Sequence, residues 1–348
     1  MIKILIVDDS ETETAILKQI FEAEKDMQVV ACAKNGEEAI QLTAQLKPDL
    51  ITMDIIMPKM NGFEATRLIM STHPTPIVVI SSAANDEALN TTFKALEAGA
   101  LTVLEKPDSY TSLSRYSARQ KIIDTVRSMS EIKPIKRRFH TPKQKIISNT
   151  FEEKKRGEFE IIAIGVSVGG PQVLRTILSA LPKYFPVPIV IVQHMAHGFM
   201  NGFTKWLDNY CQLSVKEAAN QEELLPGTIY FAPDYYHLQI KRSQKKLIAN
   251  LVKSPPISGF CPSATVLLQS VANVSKEKAL GILLTGMGND GAIGLLELKK
   301  AKGHTIIQDE ESAVVFGMAG VAQSLNAVDK VIPLEKIADY LINITKSS

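Results

Sequence analysis

Little in this sequence could staple or anchor a fold. Only three cysteines occur among 348 residues, Cys32, Cys211 and Cys261, an odd and widely separated set. That excludes a disulfide framework or a thiolate metal site as the organising device, and a reducing compartment is expected. Long apolar runs are missing too. Ile161 to Val166 and Val187 to Val192 fall far short of the ~20 residues that cross a bilayer, and MIKILIVDD meets acid before a signal core develops. The expectation is a soluble, cytoplasmic protein without membrane insertion. Net charge is almost absent: 39 Lys+Arg against 37 Asp+Glu leave +2, so no global electrostatic reason exists for a nucleic-acid or membrane partner.

What is present is the rhythm of βα units, in more chain than one hydrophobic core usually serves, so two domains are expected. From Ile2 to about Ser130, short β-branched runs (KILIV, MQVVAC, DLITM, IVVIS, LTVLE) alternate with helical patterns, which predicts five strands and five helices around a parallel sheet. The stretch Glu131 to Arg156 breaks the pattern with Lys133, Lys136, Arg137, Arg138 and further basic residues around Pro134 and Pro142, and reads as an exposed basic linker at 131–157. From Glu160 the alternation resumes in a second α/β domain, 158–348. Its middle, TIYFAPDYYHLQIKRSQKKLIANL, reads as antiparallel hairpins before ALGILLTG and HTIIQ restore the parallel pattern.

Ligands of open parallel sheets sit at the carboxyl ends of the strands. In the first domain those ends carry Asp8 and Asp9, Asp54, Ser81, and Lys106 with Pro107. Singly, such acids cap helices or form turns. Together, three carboxylates, a hydroxyl and an ammonium form a pocket suited to Mg²⁺ and a phosphoryl group, with Asp54 as acceptor and Asp8 and Asp9 as metal ligands.

In the second domain, IIAIGVSVGGP puts Ser167 at the end of a buried strand in a G-x-S-x-G pattern running into a helix with Pro171 in its first turn. The same turn could bind a nucleotide phosphate, although its spacing fails G-x-G-x-x-G. A serine nucleophile needs a base and an orienting acid at neighbouring strand ends. His194 follows VPIVIVQ at the same sheet edge, whereas His197 lies beyond it in the loop, and His237 and His304 read as structural. Asp290 is the single acid in TGMGNDGA, just before a helix, where it could equally serve as a cap; Asp234 and Asp309 follow less clean strands. The order Ser167, His194, Asp290 differs from the Ser, Asp, His order of α/β-hydrolases.

The N-terminal third, with VDDS, MDIIMPKMNG, VVISS and EKP in order, resembles the receiver domain of two-component response regulators. The second domain, with IGVSVGGP, VQHM, CPSATVLL, LLTGMGNDGA and SAVVFGMAG, resembles the catalytic domain of the chemotaxis protein-glutamate methylesterases, the CheB family. These resemblances imply a flavodoxin-like receiver with a five-stranded parallel sheet, then a doubly wound, mainly parallel α/β domain with an antiparallel hairpin. They imply Mg²⁺ in the receiver, none in the esterase domain, phosphorylation of Asp54 by a chemotaxis histidine kinase, and a switch in which Ser81 turns toward the phosphate. They also imply hydrolysis of glutamyl methyl esters on methylated chemoreceptors, with glutamine deamidation as a second activity. Ser167 is then the nucleophile, His194 the base and Asp290 its orienter, with Val168 and Met287 in the substrate and oxyanion region. The chain departs from the family pattern at Val103, where receivers usually carry an aromatic ring, and at Val166, Val168, Ala196, Thr265 and Ala319 in the esterase. A DNA-binding regulator gripping through its basic linker and a catalytically silent phospho-dependent scaffold are the competing readings. The first lacks a helix-turn-helix pattern and the second ignores the candidate triad.

Overall fold

The computed structural model describes residues 1–81, 86–106, 112–132 and 159–345, with backbone alone at 86–88, 90 and 112–118. The chain divides into two compact units, Met1–Lys145 and Ile146–Ser348. Most of the basic stretch read as a linker, and Pro107, lie outside the described residues.

The first unit alternates β1 (Ile2–Val7), α1 (Glu11–Glu22), β2 (Met27–Ala33), α2 (Gly36–Leu46), β3 (Leu50–Met53), α3 (Gly62–Thr72), β4 (Ile77–Ser81), α4 (Asp86–Ala98), β5 (Thr102–Glu105) and α5 (Ser112–Ser130). Its strands pair in parallel in the order β2-β1-β3-β4-β5, the doubly wound arrangement whose ligand crevice opens where the strand order reverses, at β1 and β3. Every residue of β3 and β4 is buried, as expected for central strands covered by helices on both faces. Polar side chains start the helices: Ser10, Asn35 and Asn61 each accept from the backbone N–H three residues on, satisfying donors the helix itself leaves open.

The second unit runs β6 (Ile161–Val166), α6 (Gly170–Leu178), β7 (Ile189–Gln193), α7 (Met200–Asp208), β8 (Ser214–Glu217), β9 (Thr228–Phe231), β10 (His237–Ser243), β11 (Lys246–Val252), α8 (Ala264–Ser275), β12 (Ala279–Leu283), α9 (Ala292–Lys300), β13 (His304–Gln308), α10 (Met318–Ser324), β14 (Lys330–Ile332) and α11 (Leu334–Thr345). Seven strands form one parallel sheet in the order β14-β13-β12-β6-β7-β9-β8. β6, β7 and β12 are buried at every residue, which is why they read as unbroken apolar runs rather than alternating ones.

The hairpin expectation is half right. β10 and β11 do pair antiparallel from His237↔Val252 to Ser243↔Lys246, but TIYF, read as part of the hairpins, is β9 and lies parallel between β7 and β8. Four residues carry too short a pattern to tell a buried parallel strand from a hairpin arm. The hairpin stands apart from the sheet and closes the core over α8, where Leu238, Ile240, Leu247 and Ala249 join Leu267, Leu268 and Val271. Among the described residues no helix is long and apolar enough to cross a membrane.

Candidate active site and phosphoacceptor pocket

The pocket of the first unit assembles as the strand ends require. Asp8 and Asp9 follow β1, Asp54 follows β3, Ser81 ends β4 and Lys106 follows β5. One oxygen from each of Asp8, Asp9 and Asp54 lies within 4.8 Å of the others. Lys106 Nζ lies 3.1 Å from Asp8, 3.0 Å from Asp54 and also contacts Glu13. Burial, reinforced by the charge of Asp54, lifts Asp8 to about 6 against the pull of the Ser10 amide and Lys106. Burial likewise raises Asp54 despite Lys106. For Lys106, burial acts to lower the pKa, and Glu13, Asp54 and Asp8 outweigh it and hold the ammonium above its ordinary value. Two buried carboxylates that one lysine leaves electrostatically undersupplied form a donor set suited to a hard divalent cation. Ser81 is buried, and so is Val103, which puts an aliphatic side chain where receivers usually have a ring.

In the second unit the three candidate side chains come from adjacent strands, with β6 between β12 and β7. Val166 pairs with Gln193, so Ser167 and His194 are the next residues on neighbouring strands, and the His194 amide donates to the Val166 carbonyl at 2.9 Å. His194 Nε2 meets Asp290 Oδ2 at 2.9 Å. Its Nδ1 is buried and has no hydrogen-bond partner among the described residues. The histidine and acid are therefore joined, while the serine–histidine bond is open, as it often is before substrate binds. With Nε2 engaged by the acid, Nδ1 is the nitrogen left to take a proton.

Asp290 does cap a helix, but not the one that follows it. α9 is preceded by Gly291 and has no side-chain cap, while the Asp290 carboxylate sits at the N-terminus of α8, accepting from Ser263 Oγ at 2.7 Å, Ala264 N at 2.7 Å and Thr265 N at 3.1 Å. Burial opposes ionisation there, and His194, Ser263 and Thr265 outweigh it, bringing Asp290 down to about 2. The other acids are placed elsewhere: Asp234 accepts from the Gly198 amide and Asp309 from Ser312. His237 and His304 bond to Pro255 O and Tyr340 Oη respectively.

Ser167 is braced by glycine-rich loops. Its amide donates to the Thr285 carbonyl at 3.0 Å, and a methyl group on Gly286 would stand 2.7 Å from Ser167 Cβ and 2.5 Å from Met318 Sδ. Gly169, at φ +76°, makes the turn into α6. The amides of Val168 and Met287 donate to no acceptor among the described residues.

Known proteins resemble this chain along its whole length. The CheB methylesterase family model matches residues 162–341 and the response regulator receiver domain model matches residues 4–116. The chain is 43% identical over 351 aligned residues to protein-glutamate methylesterase/protein-glutamine glutaminase 1 of Syntrophus aciditrophicus, covering 100% of this chain and 99% of that one.

The chain belongs to the CheB methylesterase family.

A second member, from Nitrosospira multiformis, is 44% identical over 99% of this chain and 97% of its own length. The crystal structure of the Thermotoga maritima CheB methylesterase catalytic domain covers 53% of this chain and 97% of that domain, at 41% identity and a TM-score of 0.52. Within this CheB family member, residues not singled out from the sequence surround the candidate triad. Gln193 is buried, and its side-chain amide donates to both the Ser167 carbonyl, at 2.9 Å, and the His194 carbonyl, at 2.8 Å. Its place beside His194 was the only sequence signal, since polarity at a buried strand end implies a partner without naming it. Ser263 lies in the quoted CPSATVLL block, but 27 residues from Asp290, a separation no local pattern bridges. Of the departures, Thr265 accepts from the Gly291 amide through Oγ1 at 2.7 Å, and Val166, Ala196 and Ala319 are buried apolar residues.

Proposed function

We propose that Ser167, His194 and Asp290 carry the hydrolysis of glutamyl methyl esters on chemoreceptor cytoplasmic segments by this chain, a carboxylic ester hydrolase of the CheB family. His194 Nδ1 takes the Ser167 proton as Oγ attacks the ester carbonyl; the amides of Val168 and Met287 receive the developing oxyanion. The protonated His194 then gives its proton to departing methanol, leaving an acyl-enzyme that water cleaves by the same steps to glutamate. Asp290 holds the imidazole and balances its charge without taking the proton. A glutamine side chain entering the same site would release ammonia instead. The observation that carries this reading is the His194–Asp290 bond one strand from Ser167, with the acid held ionised by His194 and by Ser263 and Thr265 at the start of α8.

In the receiver, Asp54 is the phosphoacceptor for a chemotaxis histidine kinase, with Ser81 and Lys106 contacting the phosphoryl group. Asp8, Asp9 and Asp54 would hold Mg²⁺, which supplies charge neutralisation to the incoming phosphate. The unit bounds 1–130 and 158–348, joined by a basic linker, and a cytoplasmic location belong to the same reading. The test is methanol release from methylated receptor. Ser167→Ala is expected to abolish it while leaving the thermal melt in place, and release retained in that variant would overturn the mechanism.

A further inference from the structure

Beside the candidate triad, a short loop makes a contact that neither packing nor the hydrolytic steps above require. The Phe260 ring lies flat on the His194 imidazole, with centroids 3.9 Å apart and planes 5° from parallel. Phe260 closes a hairpin with Ile257 through two 3.0 Å backbone hydrogen bonds. Between them Ser258 (φ +52°) and Gly259 (φ +83°) form the two-residue turn, both in the left-handed region that such tight hairpins use. The neck of this loop is held by one side chain. The buried imidazole of His237 contacts the Pro255 carbonyl through Nε2 at 3.1 Å and accepts the Ser263 amide on Nδ1 at 3.2 Å. A carbonyl only accepts and an amide N–H only donates, so His237 is neutral with its proton on Nε2. Ser263, fixed by this clamp, is also the residue whose hydroxyl donates to Asp290.

We infer that Phe260 is a positioning residue for the hydrolytic step, and that His237 is the clamp holding its loop over His194. The inference rests on the proposed triad. Rotation of an imidazole about its last bond is soft, and the bond to Asp290 fixes one ring atom but not the ring plane. The stacked Phe260 face fixes the plane, keeping Nε2 on the acid and Nδ1 free for Ser167. Phe260 differs from the aromatic residues that fill the core. Phe199, Phe203 and Phe231 are fully buried, whereas Phe260 is only partly buried, at the rim. Its place is explained by what it covers.

The test uses the full chain and methylated receptor. Phe260→Leu keeps an apolar side chain of similar volume but removes the flat face. It is expected to lower kcat roughly 10- to 100-fold, the scale of a misplaced catalytic group, with KM held within about twofold and the thermal melt retained. Phe260→Tyr restores kcat. His237→Phe, which opens the neck, lowers kcat in the same way, and His237→Gln, whose amide offers both a donor and an acceptor, recovers it. A readout independent of turnover is the ¹⁵N spectrum of His194: distinct protonated and unprotonated ring nitrogens in the parent, averaged ones in Phe260→Leu. An unchanged kcat in Phe260→Leu would overturn the inference. So would a raised KM at constant kcat, which makes Phe260 a substrate contact, or a fall in kcat with the ring nitrogens unaltered. An inactive parent, or an active Ser167→Ala, would instead remove the triad reading, and the nitrogen spectrum would still report on the loop.

Discussion

Asp290 concentrates the conflict that a buried charge presents. Removed from water, a carboxylate is expected to bind a proton, yet three donors at the start of α8 and the His194 ring keep it ionised at about 2. Its folded value lies below the unfolded 3.8, so its stabilising contribution is fully present above about pH 4 and is lost as the pH falls toward 2. The contribution is on the order of 2 kcal/mol. Urea denaturation of the parent between about pH 5 and pH 2 is expected to show that loss, and the Asp290→Asn protein is expected to lack this share of it. The same variant swaps an acceptor-only group for an amide and weakens the hold on the imidazole, so kcat is expected to fall about 10³- to 10⁴-fold. A decrease under tenfold in single-turnover methanol release would argue against the assigned role. Asp290 was legible as a candidate because it is the only acid in its glycine-rich loop. That it caps a helix 26 residues earlier in the chain was not, because the contact exists only after two distant segments pack.

At the scale of elements, the candidate site is made by strand order. β12, β6 and β7 are neighbours, and the segments leaving their carboxyl ends carry Asp290, Ser167 and His194, the proposed acid, nucleophile and base. The strands themselves could be read from their apolar runs, and the residues closing them are the ones that the sequence singles out. TIYF reads as a hairpin arm but forms a parallel strand, and β8 and β14 leave no strand signal in the sequence, because strands of three or four residues at or near the sheet's margins carry little periodicity. The loops between elements set finer limits. Gly286 passes so close to Ser167 and Met318 that Gly286→Ala must push on one of them. A destabilisation of about 1–3 kcal/mol is expected, and displacement of Ser167 predicts a marked loss of labelling by a serine-directed fluorophosphonate. Full labelling at the parent's rate would show that the loop yields without moving the nucleophile.

For the molecule as a whole, a receiver joined to an esterase points to a phosphorylation of one unit that alters the activity of the other. Inhibition by the unphosphorylated first unit, relieved by phosphorylation, is the form proposed. A small phosphodonor with Mg²⁺ is then expected to raise methanol release by the parent, Asp54→Asn should remove that response while keeping basal release, and a chain beginning at residue 158 should exceed the unphosphorylated parent. A response that persists in Asp54→Asn, or a shortened chain no faster than the unphosphorylated parent, would count against it. The sequence by itself determined which residue types close each buried strand, and hence the βα architecture, the candidate phosphoacceptor pocket and the three candidate catalytic side chains, since strand burial and strand-end chemistry are written within a few consecutive residues. Tertiary structure alone decided that Gln193 ties the Ser167 carbonyl to that of His194, that His194 and the start of α8 hold Asp290 ionised, and that Phe260 lies on His194. Each of these joins backbone or rings from separate segments, and their energies arise only when folding brings those segments into contact away from water.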